Sequence, residues 1–206
     1  FIVQDKPVQP IYITCQNLDS RFGTIGRKNQ SMELKTMKII RKTLIERYPY
    51  KKNRLLPTHY VMSIKKDNDI SRKFIKLHKK NNYFTRDLNQ YERMARYSLA
   101  CNYSIMIGLE KCGTGLDEAT QNHRVGKWEN CRILPLHLLD DKHKELDIFR
   151  NIIFSICHLT KNDMKNLSLY SNNYFYDILY MTVSCWYPTN KGLSCGECPM
   201  CKQRII

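Results

Sequence analysis

The chain has no long apolar run: nothing in its 206 residues approaches the ~20 consecutive apolar residues that cross a bilayer. No signal-peptide pattern is present, so the expected location is the cytoplasm, or a host cytoplasm for a viral protein. No internal repeat is visible. Acidic residues are scarce, with 19 Asp and Glu against 34 Lys and Arg, for a formal charge of +15. Such a balance attracts polyanions, nucleic acid first among them, although a basic block can equally be a solvated helix face. The six histidines (His59, His78, His123, His137, His143 and His158) include no His-x-x-x-His pair, so each reads as a packed or surface residue rather than a metal ligand.

What is present is enough for one domain, or one domain with an appendage: 42% of residues are apolar. Lys and Asn are abundant, in the style of an AT-rich bacterial or phage genome. Of nine cysteines, Cys15, Cys101, Cys112, Cys131 and Cys157 stand singly, as small buried hydrophobes do. The other four lie together as Cys185, Cys195, Cys198 and Cys201. Two overlapping Cys-x-x-Cys steps hold three thiolates close enough to share one ion, and Cys185 can complete a tetrahedral sulfur site. Gly196 permits the tight turn and Pro199 stiffens the second step. Four thiolates suit structural zinc. Disulfides are the competing reading, against which stands a composition that fits a reducing compartment.

Periodicity and punctuation predict a strand over 10–15, a polar loop over 18–30, and a helix from a capping Ser31 to Tyr48, with Leu34, Met37, Ile40, Leu44 and Ile45 on its apolar side. A strand over 58–64 and a basic, partly helical block over 65–84 follow, with Phe74, Ile75 and Leu77 facing inward. Next come a helix over 88–101, a buried strand over 104–109, a loop over 110–130, and a strand over 132–138. A helix capped by Asp140 or Asp141 is expected to run to Leu159, and one or two helices to fill 161–183. The alternation predicts an α/β fold, mostly a parallel sheet with helices on both faces, over residues 1–183, closed by a zinc knuckle at 184–206. Ligands of such sheets sit beyond the strand carboxyl ends, which places Gly108, Glu110, Asp117 and Arg124 at a substrate pocket. The competing reading of these four is as solvated loop residues.

The tail SCWYPTNKGLSCGECPMCKQR resembles that of the 7-cyano-7-deazaguanine (preQ0) synthases, with Cys185, Trp186, Cys195, Gly196, Cys198, Cys201 and Arg204 in the family's places. IYITC, SIMIGLEK and RILPLHLLDDKHKEL resemble successive upstream stretches of the same family over roughly residues 8–204. The resemblance implies a PP-loop ATP pyrophosphatase fold, and a ligase that uses ATP and magnesium. That enzyme would convert 7-carboxy-7-deazaguanine, with ammonia, to the nitrile for queuosine or deazaguanine DNA modification. The zinc would fasten the tail, Trp186 would shield it, and the four pocket residues would face the deazaguanine.

The chain departs from the pattern in places. The Ser-Gly-Gly-x-Asp-Ser phosphate loop does not occur, and it is expected upstream of Phe1. The family's Arg-Asn pair is here Arg86-Asp87, and the loop after the SIMIGL strand reads EKCGTGLDEATQNHR. Its Gly113-Thr114-Gly115 is expected to be an ordinary turn in a pocket rim, with no strong helix after it. Tyr170, Tyr174, Tyr176 and Tyr180 are expected in the core or an interface. The alternative function is a non-catalytic, zinc-stabilised relative that binds nucleic acid or a larger assembly through its charge. Self-association is compatible with either, and no membrane partner is expected.

Overall fold

In a computed structural model the chain is described over residues 6–14, 29–80, 89–112, 115–170, 176–182, 185, 187–191 and 193–202. Cys15, the loop 18–28, Arg86, Asp87, Leu88, Gly113, Thr114, Tyr174, Trp186 and Arg204 lie outside the described residues. Helices and strands are mixed, and two compact units form: Phe1–Met62 with Leu167–Ile206, and Ser63–Asn166. The cysteine-rich tail lies within the first.

In the first unit, strand β1 (Ile11–Ile13), helix α1 (Gln30–Arg47) and strand β2 (His59–Val61) follow in order. The strands pair in parallel, Ile11 with His59 through Ile13 with Val61, as a strand–helix–strand order allows. Thr14 extends the pairing, its N–H donating to the Val61 carbonyl at 3.0 Å. Asn29, not Ser31, holds the cap position before α1; the Asn29 amide donates to Glu33 Oε1 at 2.9 Å, and Tyr12 Oη donates to Glu33 Oε2 at 2.9 Å. The apolar side of α1 is only half-buried, with no fully buried residue. Arg41 ties its middle to the Leu55 and Leu56 carbonyls, and Arg47 reaches Asp177 at 2.8 Å in the first turn of helix α6 (Tyr176–Met181). Tyr170, at the end of helix α5 (Lys161–Tyr170), is 86% exposed, which excludes the core half of its expected place in a core or an interface.

The second unit holds the larger core. Helix α2 (Asn68–Lys80) buries Ile70, Phe74 and Leu77, while Ile75, expected inside, is exposed. Asp67 caps it, Oδ1 accepting the N–H groups of Asp69 and Ile70 at 2.9 and 3.0 Å. Helix α3 (Asn89–Cys101) turns Ala95 and Ser98 inward as expected, and also buries Glu92. Glu92 is held by Arg96 at 2.8 Å and by the Ser71 hydroxyl at 2.8 Å. Strand β3 (Ile105–Ile107) alternates buried, exposed, buried.

The loop expected over 110–130 contains helix α4 (Gly115–Thr120), a 3-10 turn, and strand β4 (Arg124–Val125), which pairs antiparallel with β5 (Arg132–Ile133). A short helix therefore does follow the Gly-Thr-Gly stretch. Pro135 cannot donate to a ladder, and the strand expected over 132–138 stops at Ile133.

The helix expected over 140–159 is replaced by a 3-10 segment, Lys144–Phe149, and strand β6 (Ile152–Phe154). Leu146, Ile148, Phe149, Ile152 and Ile153 fit a helical spacing by residue type. However, Ile152-Ile153-Phe154 is also a continuous apolar run of the kind that fills a strand buried on both faces, and periodicity does not separate the two. All three are buried, and β6 pairs in parallel with β3, Ile105 with Ile152 through Ile107 with Phe154. Among the described residues the pairing is thus two small parallel pairs and one antiparallel pair, not one continuous sheet.

Candidate metal centre

Cys185, Cys195, Cys198 and Cys201 come together, their Sγ atoms all within 4.8 Å of one another. Cys185 lies outside any helix or strand, Cys195 and Cys198 precede helix α7 (Pro199–Lys202), and Cys201 lies within it. Gly196 bends the chain between Cys195 and Cys198 with φ of +75°, a left-handed value that side-chain-bearing residues rarely adopt. A Cβ there would meet nothing within 4 Å, so the requirement is conformational and not steric.

Backbone amides point at the sulfurs. The Cys195 N–H donates to Cys185 Sγ at 3.2 Å, and the Cys198 N–H donates to Cys195 Sγ at 3.3 Å. Cys195 and Cys201 sulfurs lie 3.9 Å apart, close to the ~3.8 Å edge of a tetrahedron with metal–sulfur bonds of about 2.3 Å. Cys185 and Cys198 are buried, and Cys195 and Cys201 are half-buried.

The thiols differ in acidity. The Cys198 and Glu197 amides hold the Cys195 thiol below its ordinary range. Burial, followed by the neighbouring Cys198 thiol, pushes Cys201 up to about 12. One sulfur of the group is thus disposed to carry charge while another keeps its proton, and a divalent cation would displace the remaining protons. Four close thiols of this kind can hold a metal ion, and a sulfur-only tetrahedral set is compatible with zinc.

The scattered cysteines behave otherwise. Cys131 and Cys157 are both buried, with sulfurs in contact at 3.2 Å. Burial, and then the Cys157 neighbour, pushes the Cys131 thiol to about 11, the state of a packed, unreactive sulfur. The sequence reading as small hydrophobes holds for these two, but their contact across 26 residues carried no sequence signal.

The structure brings together two of the four proposed pocket residues. Asp117 on α4 and Arg124 on β4 form an ion pair, Arg124 Nη2 to Asp117 Oδ1 at 2.7 Å, with side chains 0% and 9% exposed. Asp117 Oδ2 also accepts the Cys112 N–H at 2.9 Å, and the Arg124 guanidinium lies 5.8 Å from the centre of the Phe154 ring. Neither residue is a solvated loop residue. Arg124 Nη1, and separately Glu118 Oε2, are buried without a hydrogen-bond partner. Glu110 instead meets Lys161 at 3.3 Å, and a Cβ added at Gly108 would lie 3.7 Å from the Ile156 side chain.

The histidines show no metal cluster among the described residues. His123 stacks on His143, ring centres 4.0 Å apart, and His143 Nδ1 meets Asp140 Oδ1 at 2.6 Å. His158 packs edge-on against Trp128 at 4.0 Å. No helix of the described residues is long and apolar enough to cross a membrane. The chain matches no family model, no curated protein and no solved structure.

Proposed function

We propose that the protein is a zinc-stapled, ATP-dependent ligase of the preQ0 synthase kind, converting 7-carboxy-7-deazaguanine to 7-cyano-7-deazaguanine. The observation that carries this reading is the four-sulfur cluster of Cys185, Cys195, Cys198 and Cys201, in the spacing of that family's tail. The parallel pair β1–β2, joined through α1, and the parallel pair β3–β6, whose connection carries α4 and the antiparallel β4–β5 pair, support descent from an open nucleotide-enzyme sheet of the PP-loop type. Zinc bound by the four thiolates would fix the tail without taking part in chemistry.

ATP with magnesium would activate the substrate carboxylate as an adenylate, ammonia would displace AMP to give the amide, and a second ATP-dependent activation would dehydrate the amide to the nitrile. On this reading the segment after β3 forms the substrate side. Gly108 and Glu110 lie on the segment itself, and the Asp117–Arg124 pair braces α4 against β4 behind it. The unpartnered Nη1 of Arg124 is the donor most suited to a carboxylate, since planar guanidinium groups recognise carboxylates at two points.

The test is incubation of the full-length protein with 7-carboxy-7-deazaguanine, ATP, magnesium and ammonium. Appearance of the nitrile together with AMP is expected. Residues 1–206 contain no Ser-Gly-Gly-x-Asp-Ser run, which makes ATP binding the demanding part of the test. A full-length, metal-loaded protein that binds the acid but neither binds ATP nor forms nitrile refutes the ligase.

A further inference from the structure

The charge of the second unit is not spread evenly. A cleft of about 590 Å³ opens between the Lys65–Asp69 segment, α3 and the end of the 3-10 segment before β6, and Lys65, Lys66, Lys73, Arg96 and Arg150 line it against only Asp67 and Asp69. Both carboxylates are already engaged. Asp67 caps α2, and Asp69 is shared between Arg72 at 3.5 Å and Lys73 at 3.1 Å. Arg96 is engaged as well. Its Nη1 donates to the Ile64 and Lys65 carbonyls at 3.3 and 3.2 Å, and Nη2 donates to Glu92 at 2.8 Å.

That clamp fixes the backbone of the Lys65 segment from behind. Lys65 and Lys66 are left exposed at the cleft, with no ion pair to either among the described residues. From the cleft a row of basic residues continues on α2 through Arg72, Lys76 and Lys79, all exposed, with Lys76 3.9 Å from Glu145. A cleft of net positive charge leading into a basic stripe is the arrangement that follows a phosphate chain.

We propose that this cleft and the basic row on α2 bind the sugar-phosphate backbone of single-stranded nucleic acid. The cleft has the volume of a nucleotide-sized site. No aromatic residue lines it, so contacts are to phosphates and not to stacked bases, and binding is indifferent to sequence. The inference does not rest on the ligase reading, because a catalytic and a non-catalytic protein would both carry the groove.

The experiment is fluorescence anisotropy with labelled single-stranded DNA of mixed sequence and with oligo-dT, over a range of salt. Similar affinities for both strands are expected, with affinity falling as salt rises. Lys65→Glu/Lys66→Glu is expected to lose about tenfold or more in affinity, and to reduce the salt slope by about 1.4, the share of two phosphate contacts on a single strand. Lys65→Gln/Lys66→Gln should show the same change in smaller measure, and circular dichroism will show both variants folded, since the two side chains are exposed.

The control is Lys35→Glu/Lys38→Glu on α1, the same charge change at exposed positions of the first unit, expected to cost less than about threefold. Equal losses from the two charge-reversal pairs would show that only overall charge matters, and would overturn the site. Absence of binding, or tighter binding to duplex DNA, to phosphatidylserine vesicles or to free tripolyphosphate, would overturn the assignment to a single strand.

Discussion

Asp117→Ala is the substitution that most directly probes how the segment after β3 is built. Asp117 is fully buried and accepts from both Arg124 Nη2 and the Cys112 amide. Its removal leaves the Arg124 guanidinium, 9% exposed and already lacking a partner at Nη1, as an uncompensated buried charge. Breaking a buried pair from one side costs about 3–5 kcal/mol, because the surviving charge keeps its desolvation penalty and loses its attraction. With a urea slope near 2 kcal/mol/M, the unfolding midpoint should fall by roughly 1.5–2.5 M.

Removing both partners should be milder. Asp117→Leu/Arg124→Met leaves no orphaned charge and fills the space beside Phe154, so it should lie within about 1–2 kcal/mol of the parent protein. Urea unfolding of the parent, the two single variants and the double variant closes the cycle. A single variant within about 1 kcal/mol of the parent, or a double variant as unstable as either single one, would refute the argument that the pair braces α4 against β4. Unchanged stability with lost affinity for 7-carboxy-7-deazaguanine would instead leave Asp117 orienting the Arg124 donor for substrate, with no bracing role for the pair.

Cys198→Ser should reduce bound zinc from about one ion per chain to near none after dialysis, with a fall in melting temperature; full metal content in that variant would refute the four-sulfur centre. Gly126→Ala should cost at least about 2 kcal/mol, since φ there is +82° and a Cβ would lie 2.3 Å from the Asn130 carbonyl oxygen, whereas Gly196→Ala, with open space around it, should cost about 1 kcal/mol from backbone strain alone in the metal-loaded protein. Both are read from thermal or urea unfolding. His123 is held below the ordinary imidazole range by burial and by the His143 ring, with Asp140 opposing. On acidification the unfolded chain therefore takes up the proton first, so stability should be complete above about pH 6.5 and decline below it, and His123→Gln should flatten melting temperature against pH in that window.

The parts of this structure legible in the sequence are those whose cause is local. The cysteine cluster is legible because one ion demands four sulfurs within a few ångströms, and a short spacing with one glycine supplies three of them. Helices α2 and α3 are legible because each carries a self-contained apolar stripe. Strand β6 was hidden by the same rule: Ile152, Ile153 and Phe154 are all buried, so the strand is apolar on both faces, and a short run of that kind matches two periods at once.

The Asp117–Arg124 contact joins a helix to a strand, and strand-end reasoning reached both residues without indicating that they pair. The basic cleft draws on residues from 65 to 150, so only the dense charge of its first segment showed in advance. Glu92 gave no signal of burial, since its compensation by Arg96 and Ser71 exists only once α3 packs on α2.

The excursion from Cys185 to Cys195 closes on itself, the Thr189 N–H donating to the Leu193 carbonyl at 2.8 Å and the Leu193 N–H to Thr189 Oγ1 at 3.1 Å. Beyond it, the regular structure among the described residues of the tail is a single turn of helix. Order in this stretch would thus be borrowed from an ion held by the four sulfurs. A cell starved of metal would make chains whose carboxy terminus is an open substrate for proteases, so the lifetime of the protein, and not only its shape, would follow the supply of the ion.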